Sequence, residues 1–514
     1  MLNILFTTST SAAFEWQGNE PYYTEREYTV FLDGEVAHRG NTNVFSLFGL
    51  VPGREYTLTA DCMVGELRFS TLTESAAVSV RDFGAVGDGV TDDTVAIQTA
   101  VNCMPRGARL IFPEGTYLTS PICLKSHITI DIPEGAVLLG HTEKCRYPII
   151  PGKLTDAVSG DEVHFGSWEG NAVPMHQALL FAEYAEDITI VGRGRVDGNA
   201  EAAGWWIDVK SYPVGRPRLM FFNRCESVRV HGIHACNSAS WQMHPYFSRR
   251  VDFVDMFISA PKDSPNTDAI DPEACDEVNI IGCRFSVGDD CIAIKSGKIE
   301  IGRKFKTPAN RHTIRNCLMQ FGHGAVTLGS EMAGGVTNLT VNRCVFIATD
   351  RGLRIKTRRG RGKDAVIDGV VFENIKMDGV LTPIVINMWY NCCDPDRNSE
   401  YVWSREHLPV DERTPYLGSF TFRNMECLNC QAAACYCDGL PEMPIGEITL
   451  EGIKFTFAED AEPSKPAMRE FMEPMCRAGM YFDNVGKLTV KDVTLEGVVG
   501  DELIASHIGE LVRK

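Results

Sequence analysis

The chain has 514 residues, of which 44% are hydrophobic and 23% charged, and this composition excludes disordered, collagen-like and low-complexity classes. Its length predicts about three domains of ordinary size, or fewer if one repetitive β-architecture holds most of the chain. The net charge of −18 argues against nucleic acid or an anionic membrane as the main partner, because both attract clustered positive charge. An acidic substrate would need a local positive patch on this chain.

The N-terminal apolar stretch has no Lys or Arg before it and is interrupted at Thr7, so it predicts a strand and not a secretory leader. No segment approaches the ~18 consecutive apolar residues that a membrane-spanning helix needs. We therefore expect a cytoplasmic protein without a membrane partner, or a secreted one if a leader has been removed. Most of the 18 cysteines are then expected to be reduced and buried.

Residues 1–76 predict a small β-sandwich. The segment 28–32 alternates apolar and polar residues and leads into Asp33-Gly34, which is a hairpin signal. The segment 44–47 predicts another short strand. The segment 50–58, which contains Pro52-Gly53 and Tyr56, resembles the corner before a late strand of fibronectin type III domains. An unrelated β-sandwich is the alternative.

The residue pattern of the sequence changes at about residue 77. A glycine-rich stretch at 80–89 is followed by Thr91, Asp92 and Asp93, which open a helical pattern. Thr91 or Asp92 can cap this helix, and Asp93 favours its first turn. We expect the helix to close the end of a larger β-structure, with a calcium-binding loop as the less favoured alternative.

A six-residue pattern recurs through the rest of the chain, with apolar residues at its first and third positions and an apolar residue or cysteine at its sixth. The copy at His312 is weaker at its first position, and the copy at Val251 is looser. The copies begin at Val228, Val251, Val278, His312, Leu339, Val370, Phe420, Ile448 and Leu488. Most intervals between copies are 23 to 34 residues, with insertions before the copies at Phe420 and Leu488. Short strands at this period predict an all-β fold, a right-handed parallel β-helix over residues 77–514. The spacing is too short and too uneven for a β-propeller.

Two groups of cysteines follow the same pattern. Cys283, Cys317 and Cys344 occupy one position in successive coils, which predicts a stack of thiols in the core. The second group has close spacings that allow a tetrahedral zinc site, although core thiols are the favoured interpretation. Its members are Cys427, Cys430, Cys435 and Cys437.

Polar motifs recur in consecutive repeats and are expected to stack on one face of the β-helix, in a single groove. Their titratable and charged side chains are three carboxylates, one imidazole and two cations: Asp268, Asp289, Asp290, His323, Arg354 and Lys356. Clustered carboxylates raise the pKa of at least one member, which supplies a general acid near neutral pH. Paired carboxylates are the usual groups for glycosidic hydrolysis. The alternative is a solvated aspartate cluster paired with the two cations.

Asp289 and Asp290 are neighbours, so both can face the groove only if the chain turns or bulges at Gly288. The run 354–363 is the dense basic segment of this acidic chain, with six basic residues out of ten. It could supply the positive field that an acidic substrate requires. Arg354 and Lys356 share one side of a strand, which suits a carboxylate ligand. No aromatic residue interleaves the run, which disfavours a nucleic-acid interpretation.

Asn266-Thr-Asp, Gly288-Asp-Asp, Gly322-His-Gly and Arg354-Ile-Lys, in this order and spacing, resemble the four signature motifs of the polygalacturonases, glycoside hydrolase family 28. The resemblance covers about 77–500 and includes Trp241. One departure is Ala269, where the family usually has glycine. The family implies an inverting hydrolysis of α-1,4-galacturonosyl bonds in acidic saccharides, without a metal or other cofactor.

The resemblance also implies roles for individual residues. Asp289 resembles the general acid, and Asp268 and Asp290 resemble the pair that activates water. His323 resembles the histidine that assists the acid. The substrate-binding residues expected from the match are Asn266, Arg354, Lys356 and Tyr390. We add Lys295, because it shares strand parity with Asp289 and could meet a second substrate carboxylate.

Two insertions, at about 142–182 and 388–417, and the N-terminal module resemble the bacterial exo-acting branch of the family. The second insertion contains the vicinal Cys392-Cys393. We therefore expect release of galacturonate units from chain ends. Three alternatives stay open: preference for rhamnogalacturonan-type oligomers, a calcium-dependent β-helix pectate lyase, and a non-catalytic carbohydrate-binding β-helix. The three carboxylates argue against the last of these.

Overall fold

The computed structural model describes residues 1–210, 214–391 and 399–514, and it consists mainly of β-strands. Two antiparallel sheets form the N-terminal module. One sheet has the order Leu2–Thr7, Ser11–Trp16, Val44–Phe48, and the other has the order Glu35–Thr42, Tyr23–Leu32, Glu55–Ala60, Leu67–Ser70. Their facing side chains, including Phe14, Tyr28 and Phe45, form a separate apolar core.

Local features of the module match the sequence predictions. Asp33 and Gly34 both have positive φ, at 51° and 91°, as the tight turn of a hairpin requires. The Val51 N–H donates to the Tyr56 hydroxyl at 2.7 Å, a tyrosine-to-backbone bond of the kind found at the corners of β-sandwiches. The likeness to fibronectin type III domains and the division of the chain at residue 76 stay predictions.

The rest of the chain forms a parallel β-helix, because strands one coil apart pair in parallel along three ladders. The first ladder runs through Ala77–Ser79, Ala108–Ile111, Ile128–Asp131, Glu186–Val191, Glu226–His231, Arg249–Val254, Asp276–Ile281, Ala309–Arg315, Val336–Asn342, Val366–Asp378, Ser419–Cys430, Ile445–Phe457, Ala478–Glu496 and Leu503–Arg513. The second runs through Asp88–Asp92, Gly115–Thr119, Ala136–Gly140, Arg195–Asp197, His234–Cys236, Phe257–Ser259, Arg284–Val287, Leu318–Phe321 and Val345–Ile347. The third runs through Ile122–Cys123, Leu180–Glu183, Met220–Asn223, Met243–Tyr246, Ile292–Ile294, Val326–Gly329, Arg351–Lys356, Thr382–Asn387 and Ala433–Asp438.

The first ladder confirms the repeat. The predicted first positions pair in register from Val228 through Val251, Val278, His312, Leu339, Val370, Phe420 and Ile448 to Leu488. The central apolar residues, from Val230 to Val490, pair in the same way and are buried. Each coil therefore covers the apolar side chains of the one before it.

Helices in the described ranges are short and peripheral: Val80–Phe83, Thr94–Cys103, Lys144–Arg146, Ile299–Phe305 and Glu400–Trp403. The helix Thr94–Cys103 buries Ile97, Ala100 and Val101 against the β-helix core, as predicted. The helix begins after Asp93, so neither Thr91 nor Asp92 occupies the capping position that was predicted for it.

The Asp93 carboxylate accepts the N–H groups of Val86 and Gly87 at 2.7 and 2.9 Å. Asp88 likewise accepts the N–H groups of Val90 and Thr91, at 2.9 and 2.7 Å. These carboxylates organise the backbone, which disfavours the calcium-loop alternative.

The cysteine ladder is confirmed, because Cys283, Cys317 and Cys344 are buried and each directly precedes a residue of the register Arg284, Leu318, Val345. The zinc alternative for Cys427, Cys430, Cys435 and Cys437 is wrong. All four thiols are free and buried among apolar side chains, and within the described ranges they do not come together as a group able to hold an ion. Burial also raises the pKa of the Cys427 and Cys435 thiols, which opposes the thiolate form that zinc requires.

The N-terminal module is fastened to the β-helix through a buried carboxylate. Glu15 accepts from Arg315 at 2.9 Å, from Asn316 at 2.6 Å and from Arg343 at 2.7 Å. Glu20 pairs with Lys376 at 2.8 Å near the same junction, but on the exposed surface.

Three segments leave the regular coils beside the third ladder. The insertion at 142–182 forms the antiparallel pairs Ile149–Ile150 with Met175–His176, Lys153–Thr155 with Glu162–His164, and Ser167–Trp168 with Asn171–Ala172. The insertion at 388–417 includes Tyr416–Leu417, and Cys392-Cys393 lies outside the described residues. The third segment, 458–477, precedes Ala478–Glu496.

No helix in the described part of the chain is long and apolar enough to cross a membrane. Neither the structure nor any similarity to known proteins supports the cytoplasmic location, which stays a prediction.

Candidate active site

The predicted motifs meet where the chain enters the third ladder. The Ala269 N–H donates to Asp290 O at 3.1 Å, and the Cys291 N–H donates to Gly324 O at 2.8 Å. Asp268, Asp290 and Gly324 therefore occupy the same position in three successive coils. Residues far apart in sequence converge here because each lies two positions before a buried apolar residue of its coil.

Gly324 leaves room for the carboxylate of the coil beside it. A Cβ atom at this position would lie 2.9 Å from Asp290 Oδ1 and 2.3 Å from Thr327 Oγ1. Any larger residue would displace the Asp290 side chain, which explains glycine in the third motif.

The chain bends at Gly288, Asp289 and Asp290, between the strands Arg284–Val287 and Ile292–Ile294. This irregular backbone lets two adjacent carboxylates reach one cavity, as predicted. The cavity has a volume of about 390 Å³. All the predicted site residues line it: Asn266, Asp268, Asp289, Asp290, Lys295, His323, Arg354, Lys356 and Tyr390.

Oxygen atoms of Asp268, Asp289 and Asp290 all lie within 4.8 Å of one another. Burial, followed by the negative charges of Asp289 and Asp271, raises the pKa of Asp268 well above its usual value. Asp268 Oδ1 is buried without a hydrogen-bond partner among the residues that the structure describes. This direction agrees with the expectation that at least one of the three has a raised pKa, and it places the effect on Asp268.

Asp290 has the opposite electrostatics. Arg354 Nη1 lies 3.0 Å from Asp290 Oδ1, and Lys356 Nζ lies 2.9 Å from Asp290 Oδ2. Although burial raises the pKa of Asp290, Lys356 and Arg354 outweigh it and hold that pKa far below its usual value. Asp290 is therefore the ionised member of the cluster, and the two basic residues contact it while they line the cavity.

Lys295 is a buried residue of the cavity lining. Its ammonium lies 3.4 Å from Asp271 Oδ1, 3.3 Å from Glu331 Oε2 and 4.4 Å from the centre of the Trp241 ring. Although burial alone would raise it, the pKa of Glu331 falls to about 2 because Lys295 and other cations surround this carboxylate. Lys295 is thus already paired with two carboxylates of the protein.

The polar side chains at the mouth of the cavity are also partnered. Arg216 Nη2 donates to Asn266 Oδ1 at 2.6 Å, which directs the amide nitrogen of Asn266 away from the guanidinium. His323 Nδ1 lies 2.8 Å from Asp350 Oδ2, and this bond raises the pKa of His323. The ring of Tyr390 lies 5.9 Å from Lys356 Nζ.

Other lining residues were not predicted: Glu169, Lys298, Ser330, Glu331, Asp350, Arg351 and Met468. Ser330 and Glu331 directly follow the strand Val326–Gly329, and Asp350 precedes Arg351–Lys356. Their positions at the ends of strands, next to the motifs, could have identified these three residues as members of the site. Glu169 and Met468 come from segments outside the repeat, and no periodic pattern points to them.

Two of these segments bound the cavity along the axis of the β-helix. On the N-terminal side, Trp168 stacks on Trp241 with ring centres 5.6 Å apart, and Ser167 Oγ donates to Glu273 Oε2 at 2.7 Å. On the C-terminal side, Arg354 Nη2 donates to Met468 Sδ at 2.9 Å, and Ala467 packs in an apolar cluster with residues of the third ladder.

Comparisons with known proteins identify the family of the chain. The family model described as glycosyl hydrolases family 28 matches residues 129–400. A second model, rhamnogalacturonase A/epimerase, pectate lyase-like, matches residues 77–140. A probable polygalacturonase of Vitis vinifera is 30% identical over 415 residues, which are 77% of this chain and 78% of that protein.

Two solved structures share the fold. The family 28 exopolygalacturonase of Yersinia enterocolitica aligns with a TM-score of 0.72 and 19% identity, over 100% of this chain and 98% of that one. A hyperthermoactive exopolygalacturonase of Thermotoga maritima aligns with a TM-score of 0.60 and 26% identity, over 78% of this chain and 93% of that one. With the family model covering more than half of the chain, the protein belongs to glycosyl hydrolase family 28 and is a glycoside hydrolase of the polygalacturonase type.

Proposed function

We propose that the enzyme hydrolyses α-1,4-galacturonosyl bonds of pectic oligogalacturonides from chain ends, with inversion at the anomeric carbon. The observation that carries this proposal is the meeting of three carboxylates with Arg354 and Lys356 in one cavity. The carboxylates supply acid–base chemistry for a glycosidic bond. The two cations supply a positive field for an acidic sugar within a protein of net charge −18.

Asp268 and Asp290 are the groups that we assign to the attacking water. Both oxygens of Asp290 are engaged by cations, and Asp268 has a raised pKa, so neither is a free carboxylate nucleophile. A water molecule bound between them could lose its proton to the cluster as it attacks. This argument favours a single displacement by water over a covalent glycosyl-enzyme.

Asp289 is the general acid in this proposal. It is more exposed than Asp268 and Asp290, so a glycosidic oxygen in the cavity can reach it. Because the three carboxylates interact strongly, their proton belongs to the cluster, and Asp268 can hold it until substrate binds. His323, with its raised pKa, provides positive charge near Asp289.

The stereochemical claim needs its own test. Most inverting enzymes separate their two carboxyl groups by roughly 6.5–9.5 Å, whereas these oxygens approach within 4.8 Å. Proton NMR of the first sugar released, before mutarotation, decides the outcome. We expect the β-anomer from the α-linked substrate, and early α-anomer would mean retention.

The exo mode is inferred from the walls of the cavity. Glu169 and Met468 line the cavity from two segments outside the regular coils, and Trp168 supports the first of these segments by stacking on Trp241. A long polymer would have to thread between these segments, whereas a chain end could enter.

The decisive experiment is product analysis on defined oligogalacturonides with a chelator present. Hydrolysis predicts new reducing ends, no new ultraviolet absorbance and no loss of activity on chelation. Calcium dependence with an unsaturated product would assign the enzyme to the lyases. Parallel digestion of rhamnogalacturonan oligomers tests the alternative substrate.

A further inference from the structure

A chain of polar contacts leads to His323 through residues outside the four motifs. His323 Nδ1 lies 2.8 Å from Asp350 Oδ2, and Arg351 Nη1 lies 3.3 Å from the same oxygen. All three side chains line the cavity. We propose that Asp350 is a positioning residue, which fixes the orientation of His323 and keeps it charged beside Asp289.

The backbone holds Asp350 in place. Its N–H donates to Gly322 O at 3.0 Å, and its carbonyl accepts from the Thr382 N–H at 3.1 Å. The first bond joins Asp350 to the residue immediately before His323. The contact between the two side chains is thus set by regular pairing of neighbouring coils.

Arg351 is fixed from the other side by the segment 458–477. Its Nη2 donates to Lys465 O at 2.6 Å, and its Nε donates to Pro466 O at 3.2 Å. This guanidinium then meets the Asp350 carboxylate. The segment that bounds the cavity therefore also supports the partner of His323.

The charges around His323 are mixed. The hydrogen bond that His323 donates to Asp350 is the largest influence and raises the pKa of His323, burial lowers it, and the charges of Asp289 and Asp290 raise it further. The nearby cations are Arg351 and Arg354. Since Asp350 occupies Nδ1, the nitrogen left to face Asp289 or the substrate is Nε2.

The activity test rests on the proposed function, because it uses galacturonide cleavage. Asp350→Asn keeps the shape and one acceptor but removes the charge. Because that carboxylate raises the pKa of His323, the variant should lose the protonated histidine at lower pH. The alkaline limb of its kcat profile should therefore move to lower pH, with activity best preserved on the acid side.

The matched control is Asp483→Asn. It removes the carboxylate 2.7 Å from His507 Nδ1, a similar pair outside the cavity, and should leave the profile unchanged. Asp350→Glu, which retains the charge, should restore much of the wild-type alkaline limb. An alkaline limb of folded Asp350→Asn that coincides with the wild-type limb would overturn the proposal.

A second measurement does not depend on activity and needs one folded variant, for assignment of the signal only. Histidine-selective NMR titration of the wild-type protein, with His323→Gln to assign the signal, should find His323 titrating above the ordinary value of about 6.5. Titration at or below that value overturns the proposal. Failure to cleave galacturonides would overturn the proposed function, and the titration would still test the role of Asp350.

Discussion

Lys356 Nζ lies 2.9 Å from Asp290 Oδ2, so a cation expected to bind the substrate also contacts a carboxylate that we propose to be catalytic. Arg354 meets the other oxygen of the same group. The two basic residues therefore hold Asp290 ionised in the unliganded cavity. If both proposed roles hold, this pair couples substrate binding to acid–base chemistry.

Lys356→Met should move the acid limb of the kcat profile to higher pH. Lys356 lowers the pKa of Asp290, so without it the carboxylate protonates at a higher pH and its ionised form is lost sooner as pH falls. Lys363→Met is the control, because Lys363 is exposed in the same basic run and does not line the cavity. Identical acid limbs for Lys356→Met and wild type would contradict the pairing.

A double-mutant-type cycle tests whether Lys356 also binds a galacturonate carboxylate. It compares wild type and Lys356→Met, each on charged and on methyl-esterified oligomers. Lys356→Met should lower kcat/KM on galacturonate oligomers by roughly ten- to a hundredfold, the cost of one charged hydrogen bond. The same change should matter little on methyl-esterified oligomers, which the wild type should cleave poorly. Additive losses in the cycle would show that the ammonium and the substrate carboxylate do not meet.

Asp289→Asn should fold normally and lose proton donation, which lowers kcat by about 10²–10⁴-fold or more. Circular dichroism should match that of the wild type. Asp263→Asn changes an exposed carboxylate of the neighbouring segment and should keep nearly full activity. If Asp289→Asn retains more than a tenth of the wild-type kcat, Asp289 is not the acid.

Digestion of polygalacturonate should release mono- or digalacturonate from the start, while viscosity falls slowly. The physical reason is that Glu169 and Met468, from two segments outside the regular coils, line the cavity. Partial acid hydrolysis of the same polymer cuts at random and supplies the reference curve of viscosity against reducing ends. A curve that follows this reference, with mixed mid-length products, would establish internal cleavage.

Glu15→Gln should lower the free energy of unfolding by about 1.5–3 kcal/mol, because it removes a buried negative charge that Arg315 and Arg343 contact. Glu20→Gln at the same junction removes an exposed pair and should cost about 0–1 kcal/mol. Urea unfolding of both variants provides the comparison. Equal small losses would mean that Glu15 does not fasten the module.

The coils and the chemical residues could be predicted because they follow one period. Val251, Val278 and their counterparts are buried by stacking on the preceding coil. Each strand therefore alternates apolar and polar residues, and this alternation is visible in the sequence. Asp268 and Asp290 lie about one coil apart, in motifs that follow one another from coil to coil. Their convergence therefore followed from spacing alone.

Tertiary structure decided what periodicity does not encode. Glu169 and Met468 reach the cavity from irregular segments, whose paths depend on packing against the coils. The sequence left open whether the two cations face the substrate or the aspartates, and the structure pairs Lys356 with Asp290. The contact of Lys295 with Glu331 was not predicted, because Glu331 belongs to none of the motifs. Asp268 has the raised pKa because burial and neighbouring charge act together, and both are set only when distant coils assemble.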